Sequence, residues 1–117
     1  MILNHLNLAV NDVQAAKAFL EKYFELDAQG KPGNNFIAFL RDGNGMVLTL
    51  TNFSHGEEVK YPGTFHIGFI QESHDAVDVI NRRLKEDGYE VDAPAKIHGS
   101  WTFYFTAPGG FVVEVLA

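Results

Sequence analysis

His5, His66 and Glu114 are the side chains best suited to chemistry, because each is the lone metal-capable group in an apolar run. The runs are Met1-Ile-Leu-Asn-His-Leu-Asn-Leu-Ala-Val10, Thr64-Phe-His-Ile-Gly-Phe-Ile70 and Gly110-Phe-Val-Val-Glu-Val-Leu-Ala117. A carboxylate within Val-Val-Glu-Val-Leu is costly to bury alone, so it is expected to pair with a cation or coordinate a metal. Two imidazoles and one carboxylate form a facial set that suits a divalent metal and leaves coordination positions open for substrate. A single histidine on an apolar strand is more often a core group than a ligand. Equivalent positions in two repeats, joined by Glu114, turn that expectation towards a metal site.

The elements that must position these groups are written twice. Residues 3–10 and 64–71 alternate as strands and carry His5 and His66, sixty-one positions apart. Each strand is followed by a polar helix start, Asn11-Asp12 and then Ser73-His74-Asp75, as N-caps should be. In the first helix Ala16, Phe19, Leu20 and Tyr23 form an i, i+3, i+4, i+7 stripe. The same offset gives Val77, Ile80, Asn81 and Leu84, with Asn81 breaking the stripe, and Gly88 is the expected C-cap. Three extended segments are predicted after each helix: residues 26–31, 36–41 and 46–53, then 89–97, 101–106 and 111–116. Turns fall at Asp42-Gly-Asn-Gly45 and Ala107-Pro-Gly-Gly110. The expected organisation is one domain over residues 1–117, with a βαβββ module at 1–53, a linker at 54–63 and a second module at 64–117.

Alternate strand residues face opposite sides of a sheet. His5 therefore shares a face with Asn7 and Ala9, His66 with Gly68 and Ile70, and Glu114 with Val112 and Leu116. Bulky residues occupy the opposite faces and should cover the helices. Aligning Gly45-Met-Val-Leu-Thr49-Leu with Gly110-Phe-Val-Val-Glu114-Val places Thr49 opposite Glu114, so three protein ligands are expected rather than four. Asn7, Thr49 and Thr102 are expected to line the substrate pocket. His55 and His74 read as surface groups, and Trp101, Phe103 and Phe105 as packing residues. Gly43, Gly45, Gly109 and Gly110 read as turn residues rather than a phosphate loop, since no Gly-Lys-Ser/Thr motif follows.

With 117 residues, 46% of them hydrophobic, the chain is long enough to bury a packed core. A net charge of -6 with scattered Lys and Arg argues against nucleic acid as a partner. The absence of cysteine excludes disulfides, thiolate catalysis and cysteine-type structural zinc. No basic, hydrophobic leader precedes the first strand and no apolar run approaches the ~18 residues of a membrane span. A cytoplasmic protein without membrane contact is expected.

The openings His5-Leu-Asn-Leu-Ala-Val-Asn-Asp12 and Phe65-His-Ile-Gly-Phe69, with the closing Pro108-Gly-Gly-Phe-Val-Val-Glu-Val115, resemble the module starts and final strand of the vicinal oxygen chelate superfamily. That superfamily includes glyoxalase I, bleomycin resistance proteins, fosfomycin resistance enzymes and extradiol dioxygenases, and the resemblance covers nearly the whole chain. It implies an α+β fold in which paired βαβββ modules form a cupped mixed sheet with helices on its outer face. It also implies that His5, His66 and Glu114 hold a divalent metal, Fe(II) or Mn(II) first and Zn(II) or Ni(II) as alternatives.

Glyoxalase I has a carboxylate where this chain has Thr49, which argues against ordinary glyoxalase I activity. Bleomycin-binding members lack the metal ligands that this chain retains. The cation loop and basic phosphonate pocket of fosfomycin thiol transferases are not found. Phe103-Tyr104-Phe-Thr-Ala-Pro108-Gly-Gly110-Phe-Val-Val-Glu114 resembles the second half of the extradiol dioxygenase signature. This implies that Tyr104 donates a hydrogen bond to substrate and casts His98 as a proton carrier, although His98 lies closer to Tyr104 than that signature allows. The expected function is metal-dependent chemistry on a small molecule with vicinal oxygens, most nearly extradiol dioxygenation. The alternatives are an isomerase, lyase or thiol transferase of the same superfamily, or a non-catalytic antibiotic- or metabolite-binding protein. Exposed strand edges and aromatic-rich faces suggest a homodimer.

Overall fold

The computed structural model describes residues 1–54 and 56–117. The reading of His55 as a surface residue lies outside the described residues. The fold is α+β, with two βαβββ-like modules of mixed sheets. It divides into two compact units: Met1–Tyr61 with Ala107–Gly110, and Pro62–Thr106 with Phe111–Ala117. Among the described residues no helix is long and apolar enough to cross a membrane.

The first unit contains β1 (His5–Ala9), α1 (Val13–Phe24), β2 (Ile37–Arg41) and β3 (Val47–Thr51). β3 is central, parallel to β1 and antiparallel to β2. Asp12 caps α1 by accepting the Ala15 N–H at 2.9 Å, and Glu25 ends it in the left-handed region at φ 56°. Val13, Ala16, Phe19, Leu20 and Tyr23 form the buried face of α1, and Leu8, Ala38, Leu40, Leu48 and Leu50 are buried from the sheet. Each large apolar side chain so buried contributes roughly 1.5–3 kcal/mol.

The predicted strand at 26–31 is not a strand. Only an isolated bridge between Asp27 and Arg41 forms there. Gln29 and Gly30 take φ of 53° and 70°, and the Lys31 N–H donates to the Ala28 carbonyl at 3.0 Å, so the segment closes into a turn.

Asn11 joins three parts of this unit. Its N–H donates to the Gly109 carbonyl at 2.8 Å, its Oδ1 accepts the Val59 N–H at 2.7 Å, and its carbonyl accepts from Asn52 Nδ2 at 3.0 Å. Gly110 sits against it with φ of 93°, where a Cβ would lie 2.6 Å from Asn11 Nδ2. Tyr61 donates its hydroxyl proton to the Ala9 carbonyl.

The second unit contains β4 (Ile67–Ile70), α2 (His74–Glu86), β5 (Ala95–Ile97), β6 (Ser100–Thr106) and β7 (Val112–Leu116). The strand order is β4-β7-β6-β5, with β4 and β7 parallel and the other pairs antiparallel. Ser73 caps α2 through the Ala76 N–H at 3.1 Å. At the other end Gly88, at φ 92°, lets its own N–H reach the Lys85 carbonyl and that of Tyr89 reach Leu84. Val77, Ile80 and Leu84 are buried on α2, as are Phe103, Phe105, Val113 and Val115 on β6 and β7.

Asn81 is buried in the α2 stripe because its Nδ2 donates to the Asp92 carbonyl at 2.7 Å, which satisfies an amide that could not otherwise leave water. That bond belongs to the irregular segment after α2, where the strand expected over 89–97 shortens to Ala95–Ile97. Trp101 packs towards α2, stacking on His74 at 5.7 Å and donating Nε1–H to Asp78 at 2.8 Å.

Candidate metal centre

Strand parity puts the chemistry-bearing groups on the sheet faces opposite the helices. In β1, His5, Asn7 and Ala9 are exposed while Leu8 is buried. In β7, Val113 and Val115 are buried while Val112, Glu114 and Leu116 are part-exposed. His66 lies one residue before β4 and continues its exposed face through Gly68 and Ile70.

In the second unit Glu114 is the middle of a row across three strands, directly opposite Gly68 on β4 and Tyr104 on β6. Its two oxygens have different partners. Oε1 accepts the Tyr104 hydroxyl at 2.7 Å and has the buried Thr102 Oγ1 at 2.9 Å. Thr102 Oγ1 has one proton and also lies 3.0 Å from the Val115 carbonyl. Oε2 faces His66 Nε2 at 3.3 Å. The His66 ring meets the Tyr104 ring edge-on, centroids 5.4 Å apart. The hydrogen bond to Glu114, then burial, raises the Tyr104 pKa above its ordinary value, because ionising the phenol would set two anions together.

The histidine tautomer follows from its other nitrogen. His66 Nδ1 lies 2.9 Å from the Thr64 carbonyl, which can only accept, so Nδ1 carries a proton and Nε2 is the nitrogen turned towards Glu114. His5 has the same arrangement, with Nδ1 3.1 Å from Asn4 Oδ1. Pinning one ring nitrogen in this way orients the other for a metal. The 3.3 Å edge between Nε2 and Oε2 is longer than a charge-assisted hydrogen bond of about 2.7–2.9 Å. It matches the spacing of two donors that each approach one ion to about 2.1 Å. The spacing of this pair accommodates a divalent cation between the two groups and equally a direct ion pair. Among the described residues no group of three His, Asp or Glu side chains able to hold a metal is found. His66 and Glu114 belong to the second unit and His5 to the first.

Strand registers align the modules independently of sequence similarity. His5 pairs with Val47 and Asn7 with Thr49 in one sheet, and Ile67 pairs with Val113 and Gly68 with Glu114 in the other. With His5 equivalent to His66, Thr49 is equivalent to Glu114. Phe39, paired with Thr49, is equivalent to Tyr104. The row Asn7–Thr49–Phe39 thus lacks the carboxylate and phenol of Gly68–Glu114–Tyr104. Thr49 is buried, and Asn7 accepts the Thr51 hydroxyl proton at 2.8 Å. His98 is exposed at φ 51° and forms a two-residue hairpin turn with Gly99 between β5 and β6.

Three features went unread in the sequence. The Thr64 carbonyl and Asn4 amide carry no signal of their own there. Phe39 could have been found from its sixty-five-residue offset to Tyr104.

A sequence profile of the Glyoxalase/Bleomycin resistance protein/Dioxygenase superfamily matches residues 2–115. Among solved structures, a protein from Bacillus cereus described as a possible glyoxalase is 53% identical, with a TM-score of 0.90 over 100% of this chain and 99% of that one. Lactoylglutathione lyase from Agrobacterium tumefaciens shares the fold at 22% identity and a TM-score of 0.75, over 98% and 92% of the two chains. A glyoxalase/bleomycin resistance protein/dioxygenase family enzyme from Burkholderia phytofirmans PsJN does so at 16% and 0.78, over 99% and 98%. Comparison with curated proteins gives no match.

Proposed function

Because the chain belongs to the glyoxalase/bleomycin resistance protein/dioxygenase superfamily, we propose that it is a divalent-metal-dependent enzyme acting on a small molecule with two adjacent oxygens. His5, His66 and Glu114 would hold the ion, with Fe(II) or Mn(II) preferred over Zn(II) or Ni(II). Such an ion supplies Lewis acidity at the chelated oxygens and a template that orients them. The observation that carries this reading is the 3.3 Å approach of His66 Nε2 to Glu114 Oε2, with the other nitrogen and the other oxygen each held by protein groups.

The chain's own residues then have distinct tasks. The Thr64 carbonyl and Asn4 amide hold the imidazoles in the ligating tautomer. Tyr104 and Thr102 occupy Oε1 and leave Oε2 to the ion. Gly68 places no side chain beside Oε2, where an added Cβ would stand in ordinary contact at 3.8 Å. With its hydroxyl proton engaged in the hydrogen bond to Glu114, the Tyr104 oxygen still has lone pairs that can accept a hydrogen bond from a substrate hydroxyl. His98 is given no chemical part, because its left-handed backbone and exposure serve the hairpin turn.

Ring-opening oxygenation is the preferred reaction, since two histidines and one carboxylate with a neutral Thr49 in the fourth position suit non-haem Fe(II). Glyoxalase-type isomerisation is the second reading, favoured by the 53% identical protein described as a possible glyoxalase. Oxygen uptake with catechols by Fe(II)-loaded protein, beside turnover of a glutathione hemithioacetal by Ni(II)-loaded protein, separates them. Ring cleavage supports the first, and hemithioacetal turnover alone replaces it with the second. Tight ligand binding that survives a chelator, with no product, would mark a binding protein. A homodimer is part of the proposal, motivated by the exposed Phe53 and Ile70 and by the edge strands of both sheets. A monomeric mass by light scattering would contradict it.

A further inference from the structure

The first unit contains a cavity of about 230 Å³ between the 27–31 turn and the open face of β2 and β3. Phe39, Val47 and Ala28 form an apolar wall, and Lys31 and Arg41 supply two cations. We propose that this cavity recognises the carboxylate of a small acid with an apolar body.

The turn prepares Arg41 for this role. Backbone bonds of 2.9 Å in both directions tie Asp27 to Arg41. Gln29, held at φ 53°, accepts Arg41 Nε–H at 3.1 Å. That contact takes one guanidinium nitrogen and leaves the terminal pair, whose fork fits a planar carboxylate. Asp27 also lines the cavity, but its Oδ1 accepts the Gln29 N–H at 2.6 Å. Among the described residues no carboxylate lies within ion-pair distance of Arg41 or Lys31. Two cations against one anion favour a monoanionic carboxylate, and the Asp27 charge disfavours a dianionic phosphate. Phe39, half exposed, offers a ring face to the apolar body.

His5, Val47 and Arg41 form one cross-strand row, which sets His5 and Arg41 two strand spacings apart, about 10 Å. This step rests on the proposed function: the substrate would then carry its carboxylate about that far from its chelating oxygens.

The test is an amide-resolved NMR titration of the chelator-treated full chain with benzoate, the neutral isostere benzamide, and inorganic phosphate. Saturable shifts at Gln29, Gly30, Lys31 and Arg41 are expected with benzoate, weaker ones with phosphate and none with benzamide. Arg41→Gln should weaken benzoate about tenfold and Lys31→Gln severalfold. Benzamide matching benzoate, phosphate binding more tightly than benzoate, or shifts confined to other residues would overturn the proposal. So would unchanged affinity in both variants. Because no metal is present, these outcomes are independent of the metal reading. That reading is checked by Mn(II) binding to Arg41→Gln, which should equal that of the unmodified chain.

Discussion

Tyr104 and Glu114 stand directly opposite each other on β6 and β7, and the tyrosine hydroxyl donates to Oε1 at 2.7 Å. This bond makes Tyr104 a positioning residue for the carboxylate proposed to bind the metal. Tyr104→Phe keeps the ring that meets His66 and removes only the donor. It should weaken Mn(II) binding about tenfold, as loss of such supporting partners does. Thr102→Val should act in the same direction, and calorimetric titration with Mn(II) measures both. Unaltered affinity in the two variants would show that Oε1 needs no holding.

The Gly110–Asn11 contact predicts unequal costs for two glycine substitutions. Gly110→Ala combines φ of 93° with a Cβ 2.6 Å from Asn11 Nδ2, whereas Gly30→Ala combines φ of 70° with open space. Both incur backbone strain of about 1–3 kcal/mol. Gly110→Ala must also displace a side chain tied to Val59, so its urea midpoint should fall further. Equal midpoints would mean that Asn11 moves aside freely.

Alkaline pH should expose Tyr61. Burial raises its pKa above the ordinary value of 10.0, so the folded state holds the proton more tightly than the unfolded chain does. Its contribution to stability is complete below about pH 10 and is lost as pH rises through the folded value. Tyr104, also raised, has the same sign. Tyr61→Phe should be less stable by about 1 kcal/mol at neutral pH through loss of the bond to Ala9. The difference from the unmodified chain should narrow at strongly alkaline pH in denaturant melts. A difference independent of pH would contradict this.

How much was legible in the sequence depended on the range of each interaction. Parity placed His5, His66 and Glu114 opposite the bulky faces because strand alternation is local. The Thr49–Glu114 equivalence was legible because both follow a glycine-containing turn by the same number of residues. The 26–31 segment misled because Gly30 was read inside a strand, whereas with Gln29 it makes a left-handed turn. Asn81 looked like a break in a stripe, since its partner is a backbone carbonyl eleven residues away and no side-chain pattern announces it. The pairings of Asn11 with Gly109 and Tyr61 with Ala9 arise only once distant segments have packed.

Metal content of chain purified without a chelator or histidine tag bears most directly on the central claim. About one equivalent of divalent metal per chain is predicted by elemental analysis, falling to background in His5→Ala, His66→Ala and Glu114→Gln under the same handling. A chain that neither retains nor takes up metal, or three variants that hold it as well as the unmodified protein, would contradict the claim.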